Sequence, residues 1–272
     1  MMFQNYIKTE PIPERILSLC QAVADKGSIS VKDLERILVP EVLNTAKTSY
    51  FRPVFDAASE LGLIGTNENE QVIFIGNKTD ISDLKSFRLY CNSCIFNDRD
   101  TDFYKIISCF LSANDEWIKY GRITKSQDIV RIINQETGIP SLTLQKDVLL
   151  GIRFWISFLG FGLYQENTGI FFPNMYTALK DFIVLGNIEE KEYAIDEFLD
   201  QLYPGVNVSL TGARETMRFN YAMSNALRLL HDNKEIHLQR HSDSARVWHL
   251  FPNPEHEYID EITHIIVEKA VE

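Results

Sequence analysis

Three stretches of the chain decide its fold: Val-Ile-Phe-Ile-Gly-Asn at residues 72–77, Ile-Phe-Phe-Pro-Asn at residues 170–174 and Trp-His-Leu-Phe-Pro-Asn at residues 248–253. Each is a short apolar strand that ends on Gly-Asn or Pro-Asn. Each also follows an apolar helical stretch, an earlier short strand and a polar turn. Self-similarity of this kind indicates a repeated structural unit. We therefore expect three copies of one supersecondary unit.

The repeated pattern predicts three helices followed by a β-hairpin, which is the winged-helix form of the helix-turn-helix. The predicted fold class is mostly α with small β-hairpins (α+β), arranged as tandem winged-helix units. The predicted boundaries are residues 10–80 for unit 1, 81–100 for a linker, 101–180 for unit 2 and 186–272 for a winged-helix-like unit 3 with a C-terminal helix.

Apolar periodicity and turn residues predict the elements of each unit. In units 1 and 2 a third helix precedes a hairpin, and the pair Gly62-Leu63 matches Gly162-Leu163. In unit 3 we predict three helices and one hairpin, namely helices over Glu189–Leu202, about Thr211–Leu230 and about 256–270, and a hairpin of Glu235–Gln239 with Arg246–Phe251.

The distribution of charge is uneven. The formal net charge of −11 opposes nonspecific attraction to a polyanion, because phosphate contacts need clustered Lys and Arg. Residues 209–249 carry six basic side chains against four acidic ones, whereas 181–208 and 250–272 are strongly acidic. The chain therefore has a mildly positive island between acidic borders.

The predicted nucleic-acid site lies in this island. At 100° per residue, one side of the predicted long helix is apolar around Phe219, and the opposite side carries arginine, tyrosine and asparagine. Arginine can bind phosphate or the guanine edge, and asparagine can pair with adenine. The predicted DNA-binding residues of the helix and the following wing are Arg214, Arg218, Tyr221, Asn225, Arg228, His237, Arg240 and Arg246.

Two alternatives apply to the same region. The helix face is equally consistent with a solvated surface whose arginines pair with the acidic flanks. The imidazoles of the hairpin, such as His237 and His241, could share a zinc ion. Because spacing fixes no acid or cysteine beside them, we predict ordinary wing residues, no metal and no cofactor.

The cysteines and the motif content argue against catalysis. Cys91 and Cys94 have the CxxC spacing of a metal knuckle or redox pair, but Cys20 and Cys109 do not form a second pair. We interpret all four as reduced thiols. The sequence contains no phosphate-binding glycine loop, GxSxG elbow or HExxH motif, which predicts a non-catalytic protein.

The apolar pattern predicts a cytoplasmic protein. No apolar run approaches the roughly 20 residues that span a bilayer. The first residues lack the basic and apolar regions of a signal peptide. We therefore expect no membrane partner.

Three stretches, Ile12–Cys20, Ala57–Ile64 and Phe158–Asn174, resemble bacterial winged-helix proteins. The layout is similar to the DpdG-type accessory proteins of gene clusters that install or restrict 7-deazaguanine DNA modifications. This resemblance implies a role in a multi-component anti-phage or DNA-restriction system, and it carries over no catalytic residues.

The resulting functional prediction is a DNA-associated adaptor subunit. The first two units and the terminal helix would contact other protein subunits, and unit 3 would contact double-stranded DNA. Two alternatives stay open. One is a purely structural interaction subunit whose arginines bind acidic protein surface, and the other is a transcriptional regulator, which would need dimerisation.

Overall fold

The computed structural model describes residues 3, 9–40, 50–112, 133–137, 146–165 and 170–268. Residues 133–137 are helical. The bounded α-helices, in chain order, are α1 (Pro13–Lys26), α2 (Val31–Leu38), α3 (Phe51–Glu60), α4 (Leu84–Cys94), α5 (Asp102–Ser112), α6 (Lys146–Leu159), α7 (Tyr176–Leu185), α8 (Ile195–Gln201), α9 (Ala213–Thr216) and α10 (Tyr221–Asp232). Two 3₁₀ helices cover Lys78–Ile81 and Pro204–Ser209.

The strands are short and pair antiparallel. They are β1 (Ser28–Ile29), β2 (Ile64–Thr66), β3 (Val72–Phe74), β4 (Gly162–Gln165), β5 (Ile170–Pro173), β6 (Glu192–Ala194), β7 (Ile236–Gln239), β8 (Trp248–His249), β9 (Glu261–Ile262) and β10 (His264–Val267). The sheets have the orders β1-β3-β2, β4-β5, β6-β10-β7 and β8-β9. The predicted class, mostly helical with small antiparallel strand pairs, is confirmed.

Units 1 and 3 have the same order of elements. In unit 1 the helix α1 leads into β1, then α2, α3, β2 and β3. In unit 3 the first helix is α7, which lies before the predicted start of the unit at residue 186. It leads into β6, then α8, α10, β7 and β10, with the short α9 before α10. The sheet orders β1-β3-β2 and β6-β10-β7 correspond strand for strand. The internal repeat is therefore present in the backbone, and its assignment to the winged-helix class stays a prediction.

The third helix of each of the three units ends with the same pair of backbone hydrogen bonds and a residue of positive φ. Gly62, Gly160 and Lys234 have φ values of +71°, +82° and +60°. In each case that residue's N–H donates to the carbonyl three residues earlier, and the next N–H donates to the carbonyl five residues earlier. The left-handed conformation favours glycine, as found in the first two copies. The equivalent of Gly62 is thus Gly160, and the predicted match to Gly162 is wrong by two residues.

The predicted hairpin of unit 3 is wrong. Strand β7 pairs with β10, so that Leu238 lies opposite Ile265, and β8 pairs with β9. Residues 240–263 are therefore inserted between the two wing strands, where unit 1 has residues 67–71. The predicted terminal helix over 256–270 is also wrong across its described part, because 261–262 and 264–267 are strands. Alternating burial and β-branched residues in β10 outweigh the helical spacing of its isoleucines.

The predicted helix Glu189–Leu202 is a strand followed by a shorter helix. Tyr193 is buried in β6 and lies opposite Ile265 of β10. The backbone of β6 therefore forms hydrogen bonds with β10, and helix α8 starts only after this strand.

The predicted helix Thr211–Leu230 is divided. Helix α9 ends before Met217, whose φ is +51°, and α10 begins after Asn220, whose side chain accepts the N–H of Met223. Between them His249 donates its N–H to Met217 and accepts the N–H of Phe219, at 2.8 Å each. These hydrogen bonds replace helical ones, so the segment between the helices is extended.

Residues 81–100, predicted as a linker, contain a core helix. In α4 the side chains of Phe87, Cys91 and Asn92 are fully buried. Asn92 donates to Asp181 of α7 at 2.7 Å and to the carbonyl of Leu159 at 3.2 Å. Arg88 contacts both carboxylate oxygens of Asp181 at 2.8 and 3.0 Å. These hydrogen bonds hold α4 against both α6 and α7, and the notion of residues 81–100 as a linker with some helix stays a prediction.

Candidate nucleic-acid interface

Helix α10 occupies the position of the third helix, which reads DNA in winged-helix proteins that bind the major groove. The structure places it largely inside the protein. The buried residues of this helix are Ala222, Met223, Ser224, Ala226, Leu227, Arg228 and Leu230. Tyr221 and Asn225 are half-buried. Such a helix offers few side chains to an outside ligand.

Arg228, a predicted DNA contact, is an internal residue with 4% exposure. Its Nε and Nη2 donate to the carbonyl of Tyr258 at 3.1 and 3.0 Å, and Nη2 also donates to the carbonyl of Ile259 at 2.7 Å. Hydrogen bonds to a charged donor are stronger than neutral ones, and a buried guanidinium needs them. Arg228 therefore anchors residues 258 and 259 to helix α10.

Residues 251–259, here called the cover segment, lie across the polar side of α10. The N–H of Phe251 donates to Ser224 Oγ at 2.8 Å, and its ring meets that of Tyr221 edge to face at 5.2 Å. At the other end of the helix, His231 bonds Glu257 and Asp232 bonds His256. The cover segment thus occupies the face that sequence patterning assigned to DNA.

The remaining predicted DNA-contacting side chains mostly pair with the protein's own carboxylates. The pairs are Arg214–Asp200 at 2.8 Å, Arg240–Glu261 at 3.0 Å, Arg246–Asp196 at 3.1 Å and His237–Glu268 at 3.0 Å. All four acids belong to the acidic borders of the island. The alternative in which the arginines pair with acidic flanks therefore describes most of this surface.

Arg218 differs from the other predicted cations. It is exposed, and no carboxylate among the described residues lies within ion-pair distance of it. It lines a cavity of about 350 Å³ together with Thr211, Thr216 and Asn220. A cationic group among hydroxyl and amide groups can bind a phosphate or carboxylate.

The third helices of the other units are also poorly suited to contacting DNA. In α3 the exposed Arg52 pairs with Asp56 of the same helix at 2.8 Å, which neutralises the face. In the described part of α6, residues 151–159, the exposed side chains are Phe154 and Ser157, and neither is basic. Neither described helix face presents a cluster of unpaired cations.

The CxxC motif lies at the C-terminal end of helix α4, where Cys91 is buried and Cys94 is half-buried. Burial raises the pKa of the Cys94 thiol to about 12 and raises that of Cys91 well above its usual value. A protonated thiol is neither a nucleophile nor a metal ligand. The interpretation of these cysteines as structural thiols therefore agrees with their surroundings.

The sequence pattern missed the cover segment because Arg246–Phe251 was assigned to a wing strand and the stretch from about 256 to a terminal helix. One signal was present: Pro252 and Pro254 interrupt this stretch and favour an extended path.

No described helix is both long and apolar enough to span a bilayer.

Comparisons with known proteins add the family. Neither the curated proteins nor the solved structures include a match to this chain. A family model described as DpdG-like matches residues 7–244, and this links the chain to DNA-modification gene clusters. Because the match covers most of the sequence, the chain belongs to the DpdG-like family.

Proposed function

We propose that this protein is a non-catalytic interaction subunit of a DNA-modification-associated assembly, and that it binds protein partners in preference to duplex DNA. One observation carries the proposal. The polar face of α10 is covered by residues 251–259 of the same chain, through Arg228, Ser224 and His231. A DNA groove would have to displace this segment and break the hydrogen bonds from Arg228 to the carbonyls of Tyr258 and Ile259.

The charge pattern supports the same proposal. DNA affinity comes largely from phosphate neutralisation by Lys and Arg, with release of counterions. Here Arg214, Arg240 and Arg246 already contact Asp200, Glu261 and Asp196. A phosphate would compete with these carboxylates on a chain whose net charge is −11.

Exposed apolar side chains offer a surface that suits protein contact. Leu163 and Phe172 lie opposite each other in the β4–β5 hairpin, with 64% and 38% exposure. Exposed apolar side chains that adjoin one another mark interaction sites more often than isolated ones do. The wing of unit 2 is therefore the proposed partner-binding surface.

Duplex binding in a salt series tests the first half of the proposal. We expect no salt-dependent binding by the wild-type protein at low ionic strength. The matched variant Asp196→Asn/Asp200→Asn releases Arg246 and Arg214 from their carboxylates, and we expect it to gain weak binding that is lost at moderate salt. Wild-type binding with a steep salt dependence would contradict the proposal.

Co-expression with the products of neighbouring genes tests the second half. A partner that co-purifies with the wild-type chain should be lost from the Leu163→Asp/Phe172→Asp variant. The control is Ile37→Asp, because Ile37 of α2 is 47% exposed and lies in a different unit. Equal recovery of the partner by both variants would remove the β4–β5 hairpin as the contact surface.

Arg218 supports a second candidate, the DNA-associated adaptor. Its guanidinium is exposed beside the cavity and pairs with no described carboxylate. If this candidate is correct, wild-type binding to duplex should fall steeply with salt, Arg218→Ala should abolish it, and Arg246→Ala should leave most of it. Equal loss in both variants would point to nonspecific charge instead.

A further inference from the structure

The three-stranded sheet of unit 3 has one buried and one outer face. Alternation along the strands directs Tyr193, Leu238 and Ile265 to the core, where each is at most 2% exposed. Glu192 on β6 and His264 on β10 therefore occupy the opposite face. His241 lies two residues after Gln239, the last residue of β7. Residues far apart in sequence thus meet on the outside of one sheet.

Three side chains on this face converge. The ligand atoms of Glu192, His241 and His264 all lie within 4.8 Å of one another. The imidazoles of His241 and His264 stack at 4.2 Å between centroids, and His241 Nε2 lies 3.3 Å from Glu192 Oε1. Tetrahedral zinc ligands at about 2.0–2.1 Å from the metal lie roughly 3.3 Å apart, so metal binding requires the stacked imidazoles to turn toward a common point.

The neighbouring side chains are placed to orient these imidazoles. Thr263 Oγ1 lies 2.9 Å from His264 Nδ1, and it also accepts the backbone N–H of His241 at 2.9 Å. A hydroxyl on Nδ1 leaves Nε2 of His264 available for a metal. Metal-ligating histidines usually carry such a partner on their second nitrogen.

His241 Nε2 has more acceptors than it can satisfy. Gln239 Oε1 lies 2.8 Å from it, in addition to the Glu192 oxygen. A single N–H cannot donate fully to two oxygens. A metal ion bound to Nε2 would instead draw both oxygens toward it, and the amide oxygen of Gln239 is then within reach as a fourth ligand.

We propose that Glu192, His241 and His264 bind a divalent transition metal, with Zn²⁺ as the ion that best suits a donor set of two imidazoles and one carboxylate. The ion would link β6, the middle strand β10 and the segment after β7. It would therefore hold together the end of β7 and the start of β10, which residues 240–263 separate in sequence. The role is structural and independent of the proposed partner binding.

Metal titration of the metal-free full-length protein tests this site. We expect Zn²⁺ to bind with one-to-one stoichiometry by calorimetry and to raise the melting temperature. Co²⁺ should give visible absorption bands without a thiolate-to-metal charge-transfer band, which excludes the cysteines as ligands. The variant His241→Asn/His264→Asn should lose both effects, and Thr263→Val should weaken binding by about 10–100-fold.

Two matched variants separate the site from general histidine binding. His256→Asn removes an imidazole that pairs with Asp232, and its Zn²⁺ affinity should equal that of the wild type. Glu192→Gln keeps the shape of the side chain and should weaken Zn²⁺ binding, even if the double histidine variant folds poorly. Absence of saturable Zn²⁺ binding by the wild type, or equal binding by Glu192→Gln and the wild type, would overturn the proposal.

Discussion

Units 1 and 3 have the same element order and sheet order but expose their third helices differently. In unit 1 residues 67–71 join the wing strands, and the outer face of α3 shows the ion pair of Arg52 and Asp56. In unit 3 residues 240–263 join them, and part of this insertion lies over α10. The same local pattern therefore supports an open helix in one unit and a covered helix in the other, because the insertion supplies the covering atoms.

The largest expected difference between the two wings concerns Trp248. This side chain is 1% exposed and stacks on Phe219 at 4.6 Å. Trp248→Ala should lower the free energy of unfolding by about 3–5 kcal/mol, because it removes a large core side chain and leaves a cavity. Chemical denaturation followed by circular dichroism measures the change.

The matched change in unit 1 is Glu68→Ala in the exposed turn between β2 and β3. We expect it to change stability by less than about 0.5 kcal/mol, as for most surface positions. Similar losses in the two variants would mean that the insertion in unit 3 contributes no more to the core than a simple turn does.

A smaller effect is expected from the arginines of the two third helices. Arg228→Ala removes the donor that the carbonyls of Tyr258 and Ile259 share, so that Ile259 keeps only the N–H of Asn253 at 3.3 Å, and should cost about 1–3 kcal/mol. Arg52→Ala removes an exposed ion pair and should cost less than about 1 kcal/mol. Proteolysis gives a second measurement, since loss of Arg228 should expose residues 251–259 to cleavage.

Equal stability of the Arg228→Ala and wild-type proteins would show that the cover segment is held mainly by Phe251, His231 and His256. A substitution at Ser224 would then be the sharper test. Its Oγ accepts the N–H of Phe251 and donates to the carbonyl of Asn220.

The smallest effect concerns thiol ionisation, which reports on unit 1 and the central helices because unit 3 contains no cysteine. Burial raises the pKa of Cys20 and Cys94 to about 12 and that of Cys109 to about 11. The folded state therefore keeps these thiols protonated where the unfolded chain ionises. Their contribution to stability is complete below the usual thiol pKa and is lost as pH rises toward 12.

A thiol reagent at pH 8 provides the measurement. Native protein should react slowly, and denaturant should make all four cysteines reactive. Rapid labelling of the native protein would show that α1 and α4 open more readily than their burial implies.

The sequence predicted the mostly helical class and the third helix and hairpin of unit 1, because local apolar periodicity and a helix-ending glycine determine them. The predicted site was harder to place. The prediction placed Arg214 and Arg218 on one face of a continuous helix with Arg228. In the structure that helix is interrupted, because the backbone of His249 donates a hydrogen bond to Met217 and accepts one from Phe219. Contacts between residues about thirty positions apart, such as those of His249, cannot be predicted from the local spacing of side chains.

The sequence by itself determined the helix-before-hairpin order of unit 1, the mildly positive island with its acidic borders, and the family resemblance. The tertiary structure decided which strand pairs with β7, what covers α10 and where each arginine finds its carboxylate. The physical reason is that helix and turn preferences act over a few residues. Strand pairing and ion pairing instead depend on which distant segments the fold brings within hydrogen-bonding distance.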